Sequence, residues 1–208
     1  MMRPIKYLWL FPIVTVMSGC AGFSQAHYDE LMNQSSDVQQ LKANDQKQDK
    51  QIQEIEKTLE KLKVSLQSEI KNSGVTVEKP TATSVKVSLP HTILFGSGSA
   101  QVDKQGKEIL SKISSSLQEA PKDAPIRIVG YTDSMPVGEK LRARYKDNWA
   151  LSSARAAAVA RVLIWGEGID KNRIRVEGRA DTNPVATNST AEGRQKNRRI
   201  EIFIGESS

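Results

Sequence analysis

From Ser24 to Ser73 the chain contains neither glycine nor proline. The two residues that most readily end a helix are missing over a stretch rich in Gln, Lys, Glu, Asp and Leu. This predicts one long polar helix, which at about 1.5 Å per residue would reach about 75 Å. Counted from Leu31, the heptad a positions are Leu31, Val38, Asp45, Ile52, Leu59 and Leu66, and the d positions are Gln34, Leu41, Gln48, Ile55, Leu62 and Glu69. The 3-4 apolar spacing is clean from Ile52 to Leu66 and is interrupted at Asp45 and Gln48. Either a coiled-coil stalk, in which copies of 24–73 pair as a homo-oligomer, or a solvated single helix fits this pattern. Gly74 and the run Lys79-Pro80-Thr81-Ala82-Thr83 read as the helix end and a hinge over 74–84.

The one long apolar run precedes that helix. Arg3 and Lys6 lead into Tyr7 to Met17, about a dozen apolar residues broken by Pro12, which is short for a membrane span. The run ends in Met17-Ser18-Gly19-Cys20, and Cys20 is the only cysteine, which excludes a disulfide scaffold. Small residues before a lone cysteine resemble the lipobox of bacterial lipoproteins, with Met where Leu is usual. The resemblance implies a signal peptide over 1–19, a lipidated N-terminus over 20–23 with diacylglyceride and palmitate on Cys20, and a lipid-anchored protein facing the periplasm. Ala at position 21, where Asp would retain a lipoprotein in the inner membrane, implies sorting to the outer membrane of a Gram-negative cell. The alternative is an ordinary secretory signal that happens to hold a cysteine.

The charge is uneven. The whole chain carries a formal +6. Residues 24–73 hold 7 Lys and 9 acids, a net of −2, so the basic surplus lies in the C-terminal part. There, apolar periodicity predicts strands at Ser84 to Leu89 and His91 to Phe95, and a helix from Asp103 to Leu117. A buried strand follows at 126–129 and ends at Gly130, before an Ala-rich helix from Trp149 to Trp165. A strand at 173–177, a short helix at 191–196 and a strand at 199–204 complete the chain. The order β-α-β-α-β-(α)-β predicts an α/β (α+β) sandwich with helices against one face of a mixed sheet.

Five pieces of this region occur in a recognisable order: Ile93-Leu94-Phe95, Gly130-Tyr131-Thr132-Asp133, Asn148-x-x-Leu151-Ser152-x-x-Arg155-Ala156, Gly193-Arg194 and Asn197-Arg198-Arg199-Ile200-Glu201. Together they resemble the OmpA/MotB C-terminal domain, the peptidoglycan-binding module of envelope proteins, over 85–205. The longer segment 134–147 and the Asn-Trp before the helix are similar to the MotB branch. Arg179-Ala180 departs from the usual Gly-aromatic-Gly.

The resemblance implies a partner, the diaminopimelate-type stem peptide of peptidoglycan, whose side chain ends in an ammonium and a carboxylate on one carbon. It implies that Asp133 takes the ammonium and Arg155 the carboxylate, that Thr132, Asn148 and Leu151 line the same pocket, and that the loop after Phe95 closes one side. From spacing alone, Asp133 and Arg155 are equally a structural salt bridge. Asn197, Arg198 and Arg199 either touch the wall as well or form a charged strand start with one arginine inward. The function so implied is non-covalent tethering of the outer membrane to the wall. The alternative is a wall-anchoring part of a flagellar motor or secretion apparatus.

Other classes fit poorly. Ser152 and Ser153 have no histidine within their motif, and a carboxylate pair of Asp133 with Glu139 would lose its general acid to the nearby Arg155. The expectation is therefore a protein that is not an enzyme. One cysteine and the separated His27 and His91 predict no metal site and no cofactor. A signal peptide and an aromatic content of 5% argue against nucleic acid as a partner.

Overall fold

The computed structural model describes residues 25–205, so the expected signal peptide and Cys20 lie outside the described residues. Among these residues no helix is long and apolar enough to cross a membrane. The chain divides into two units at Asp45/Gln46. The described part of the first unit is helical, within α1 (Gln25–Ser65), and its seam residues Val38 and Leu41 are exposed.

The rest of α1 belongs to the second unit. Here Ile55, Leu62 and Leu66 are buried in one core with residues of the strands and of the other helices, and Leu59 packs against it. From Ile55 to Leu66, the heptad stripe expected either between chains or in solvent is thus covered by the chain's own domain. Each such burial contributes about 1.5–3 kcal/mol. Ion pairs frame the contact: Glu56 with Lys79 at 2.8 Å, Glu69 with Lys112 at 2.7 Å, and Lys61 with Glu119. The helix expected to run unbroken to Ser73 stops at Ser65, and a second short helix, α2 (Gln67–Asn72), follows.

The segment expected as a hinge over 74–84 instead carries β1 (Thr76–Thr81), paired antiparallel with β2 (Ser84–Pro90). Pro80 is tolerated because β1 is the edge strand, and the register slips between Glu78 and Thr81. Residues 91–95 also differ from expectation. The N–H groups of Leu94 and Phe95 both fold back onto the His91 carbonyl, at 3.1 and 2.9 Å, so His91–Ile93 forms a turn of 3-10 helix. Phe95 keeps a single bridge, to Val102.

The remaining elements follow the apolar pattern closely. They are α3 (Lys104–Glu119), β3 (Ile126–Gly130), α4 (Glu139–Arg142), α5 (Asn148–Arg161), β4 (Ile174–Gly178), α6 (Ala191–Asn197) and β5 (Arg199–Ile204). Of these, α4 falls in the longer 134–147 segment and was not anticipated. The strand order is β1-β2-β5-β3-β4, with only β3 and β4 parallel. Alternation sorts the faces. Val85, Val87, Leu89, Ile126, Ile128, Ile200, Ile202 and Ile204 join α1, α3 and α5 in the core. Lys86, Ser88, Arg199, Glu201 and Phe203 alternate with them and belong to the other face.

Two glycines let α5 lie close on the sheet. Gly130 of β3 and Gly178 of β4 are partners in the parallel register. A Cβ at Gly130 would sit 2.2 Å from the Ser152 carbonyl oxygen, and one at Gly178 would sit 2.1 Å from Ser153 Oγ. The start of α5 is therefore held directly beside the end of β3, where the chain continues into Thr132 and Asp133.

Candidate functional site

Beyond β3 the backbone is held on both sides. The Tyr131 N–H donates to the Arg199 carbonyl (2.9 Å) and the Thr132 N–H to the Ala180 carbonyl (2.8 Å). Asp133 follows and is nearly buried. One of its carboxylate oxygens accepts the Met135 N–H at 3.1 Å, and the other pairs with the guanidinium of Arg198. Asn148, the first residue of α5, donates its side-chain amide to the carbonyls of Asp133 (3.1 Å) and Met135 (3.0 Å). Its neighbour Asp147 caps the helix by accepting the Ala150 N–H at 2.8 Å. That cap takes up one of the free amides at the start of α5.

Two turns along α5, Arg155 is 5% exposed. Its guanidinium donates to the Ser99 carbonyl at 3.2 and 3.4 Å and lies 5.6 Å from the centre of the Phe95 ring. Asp133 and Arg155 thus share the site without forming the salt bridge that spacing alone allowed. Leu151 packs with Ala100 and Val137, which ties the loop after Phe95 and the 134–147 segment to α5. Thr132 is buried, and its hydroxyl has no hydrogen-bond partner. All six residues expected at the site, Phe95, Thr132, Asp133, Asn148, Leu151 and Arg155, come to this one end of the sheet, where they divide into charged groups and packing groups.

The electrostatics reflect two guanidiniums near one carboxylate. Burial, and then the like charge of Arg198, push Arg155 down to about 10, while Asp133 acts the other way. His91 is pushed down to about 4 by burial and then by Arg155 and Arg198, so it is neutral at pH 7. Its Nδ1 is buried without a partner. Ser152 is buried, and its hydroxyl is taken up by donating to the Trp149 carbonyl and accepting the Ala180 N–H, each at 3.1 Å. Among the described residues no group of three or more His, Cys, Asp or Glu side chains gathers as metal ligands would.

Comparison with protein families matches residues 94–198 to the OmpA family. The chain belongs to the OmpA family. It is similar to the probable lipoprotein YiaD of Escherichia coli, 37% identical over 67% of this chain and 59% of that protein. It is also similar to motility protein B of Bacillus subtilis, 35% identical over 61% of this chain and 47% of that protein. The chain therefore spans about half the length of these curated relatives. Among solved structures, the cell wall anchor of the T6SS from Pseudomonas aeruginosa superposes with a TM-score of 0.61 at 37% identity, over 70% of this chain and 97% of that one.

The OmpA-family segment runs from Leu94 to Arg198, and so takes in every charged group of the site. Arg198, named in the sequence only together with Asn197 and Arg199, is the member of that triplet that joins the site. The triplet Asn197-Arg198-Arg199 splits three ways. Asn197 is buried and binds the backbone of Val185 and Ala186. Arg199 is buried, donates to Glu201 at 2.8 Å and lies over the Tyr131 ring at 3.8 Å. Only Arg198 reaches Asp133. Strand alternation would have sent 198 and 199 to opposite sides, but not which of them meets the carboxylate.

Proposed function

We propose that this domain grips peptidoglycan without a covalent bond, by holding the zwitterionic end of diaminopimelate in the stem peptide. The observation that carries this reading is the meeting of one carboxylate and two guanidiniums, Asp133, Arg198 and Arg155, at one end of the sheet. Arg198 pairs with Asp133. An incoming ammonium takes Asp133, and the carboxylate on the same carbon takes Arg198 and Arg155, so one ion pair is exchanged for two or more. Arg155 is suited to this because its protein acceptor is a neutral carbonyl, which leaves its charge uncompensated by a direct partner. The resemblance to the T6SS cell wall anchor supports the same reading.

With lipid on Cys20 the protein tethers the outer membrane to the wall. Replacing Cys20 by Ser abolishes incorporation of a palmitate analogue and releases the protein from membranes. Undiminished label overturns the anchor. For the pocket, Arg155→Ala lowers co-sedimentation with diaminopimelate-type sacculi about tenfold or more, from the ~1.5–3 kcal/mol of a charge-assisted bond. Sacculi with lysine at the third stem position bind the wild type weakly, because lysine lacks the carboxylate. A folded Arg155→Ala protein that binds as tightly as wild type rules the pocket out. The likeness to motility protein B and to the T6SS anchor favours a second reading, in which the same grip fixes a motor or secretion machine. Loss of swimming or of secretion on deletion of the gene, with the outer membrane intact, identifies that case.

A further inference from the structure

Two large apolar side chains stand exposed beside this site, Met135 and Trp149, each at 53%. Their backbones are fixed. Met135 gives its N–H to Asp133 and receives the Asn148 amide on its carbonyl. Trp149 follows Asn148 in the first turn of α5, and its carbonyl accepts the Ser152 hydroxyl. On a fixed backbone only the side-chain rotamers remain to be ordered when something lands on them. Trp165, 75% exposed in the π-helical turn Val162–Gly166 that follows α5, lies beyond the site and provides an internal control.

We infer that Trp149, with Met135 beside it, is a platform for a sugar ring of the glycan strand whose stem peptide occupies the Asp133 pocket. This rests on the wall-binding reading above. Trp149 precedes Arg155 by six residues, about 9 Å of helical rise. In peptidoglycan, diaminopimelate is the third residue from the muramyl sugar, and three extended residues span about 10 Å. A stem peptide that runs from the pocket toward the start of α5 brings its sugar to the height of Trp149. One face of a pyranose presents C–H bonds with slight positive charge, which suits the negative face of an indole. A protein partner fits worse, since a stable interface needs roughly 1,000 Å² and two side chains supply a small part of that.

The test is calorimetric titration of the full-length protein with two soluble ligands. One is the free stem tripeptide ending in diaminopimelate, and the other is the same peptide on its disaccharide. Wild type binds the disaccharide form about five- to tenfold more tightly, the scale of one aromatic contact. Trp149→Ala removes that advantage and leaves the free peptide within about twofold of wild type, Trp149→Phe restores part of it, and Trp165→Ala changes neither ligand. Two outcomes overturn the platform: a Trp149→Ala protein that keeps the wild-type ratio, or one that loses both ligands equally. If the wild type binds neither ligand, the wall-binding reading falls and the platform with it. If it binds the free peptide as tightly as the disaccharide form, the platform alone falls.

Discussion

Arg198 and Arg199 are neighbours in sequence, and each meets a carboxylate, yet the two pairs sit in unlike surroundings. Arg199 and Glu201 lie on the sheet's outer face with side chains 6% and 7% exposed, and Tyr131 stacks on the guanidinium. Burial, and then Glu201, push the Tyr131 phenol up to about 12, so it stays neutral beside that carboxylate. Arg198 and Asp133 sit at the mouth of the pocket, with Arg198 29% exposed. The outer-face pair is nearly out of water and, through the Tyr131 ring, ties β5 to the end of β3. The pair at the mouth can open. Identical chemistry thus serves the fold at one residue and, in the proposed grip, the ligand at the next, with access to water as the difference.

The strongest way to break this contrast is Glu201→Ala. It leaves Arg199 buried without its carboxylate and lowers stability by about 3–5 kcal/mol in urea denaturation. The protein that remains folded binds sacculi normally. A loss below about 1 kcal/mol shows the outer-face pair to be as replaceable as a surface one. Asp133→Ala has the opposite profile. Sacculus binding falls at least about tenfold, and stability changes by about 1 kcal/mol or less because Arg198 reaches solvent. Arg198→Ala sharpens the contrast further. If Asp133 and Arg198 read one zwitterion, the double variant loses less binding than the sum of the two single losses.

A further expected effect is in pH. His91 titrates near 4 in the folded protein against an ordinary 6.5, so the unfolded chain binds the extra proton first. Its contribution to stability is complete above pH 6.5 and is lost as the pH falls toward 4. The urea midpoint of wild type declines more steeply over that window than that of His91→Gln. Parallel curves exclude His91 as the source.

Several features of the fold were legible because they depend on local pattern. The strands at β2, β3, β4 and β5 and the helices α3 and α5 follow from periodicity, and Asp103 and Asp147 act as caps where the chain enters α3 and α5. What the sequence concealed was the identity of partners. The stripe at Ile55, Leu59, Leu62 and Leu66 has the same 3-4 spacing whether a second chain or the chain's own sheet covers it. Lys79-Pro80 reads as a break because proline ends central strands, and only the sheet order reveals that this strand lies at an edge. At the site, the six residues tied to motifs came together as a group. The pairing of Arg198 with Asp133 could not be read from the triplet Asn197-Arg198-Arg199, because it spans sixty-five positions and depends on β5 lying beside β3.

Gly130 and Gly178 carry a consequence for genetics. Neither has a side chain to offer a ligand, but the hydrogen atoms they carry in place of Cβ set how far Asn148 and Arg155 stand from Asp133. A methyl at either position must displace Ser152 or Ser153, and α5 with them. Selection for weakened wall attachment would therefore recover alleles at two positions that touch no ligand. A survey confined to the residues lining the pocket would miss them, because the spacing there is inherited through atoms that are absent.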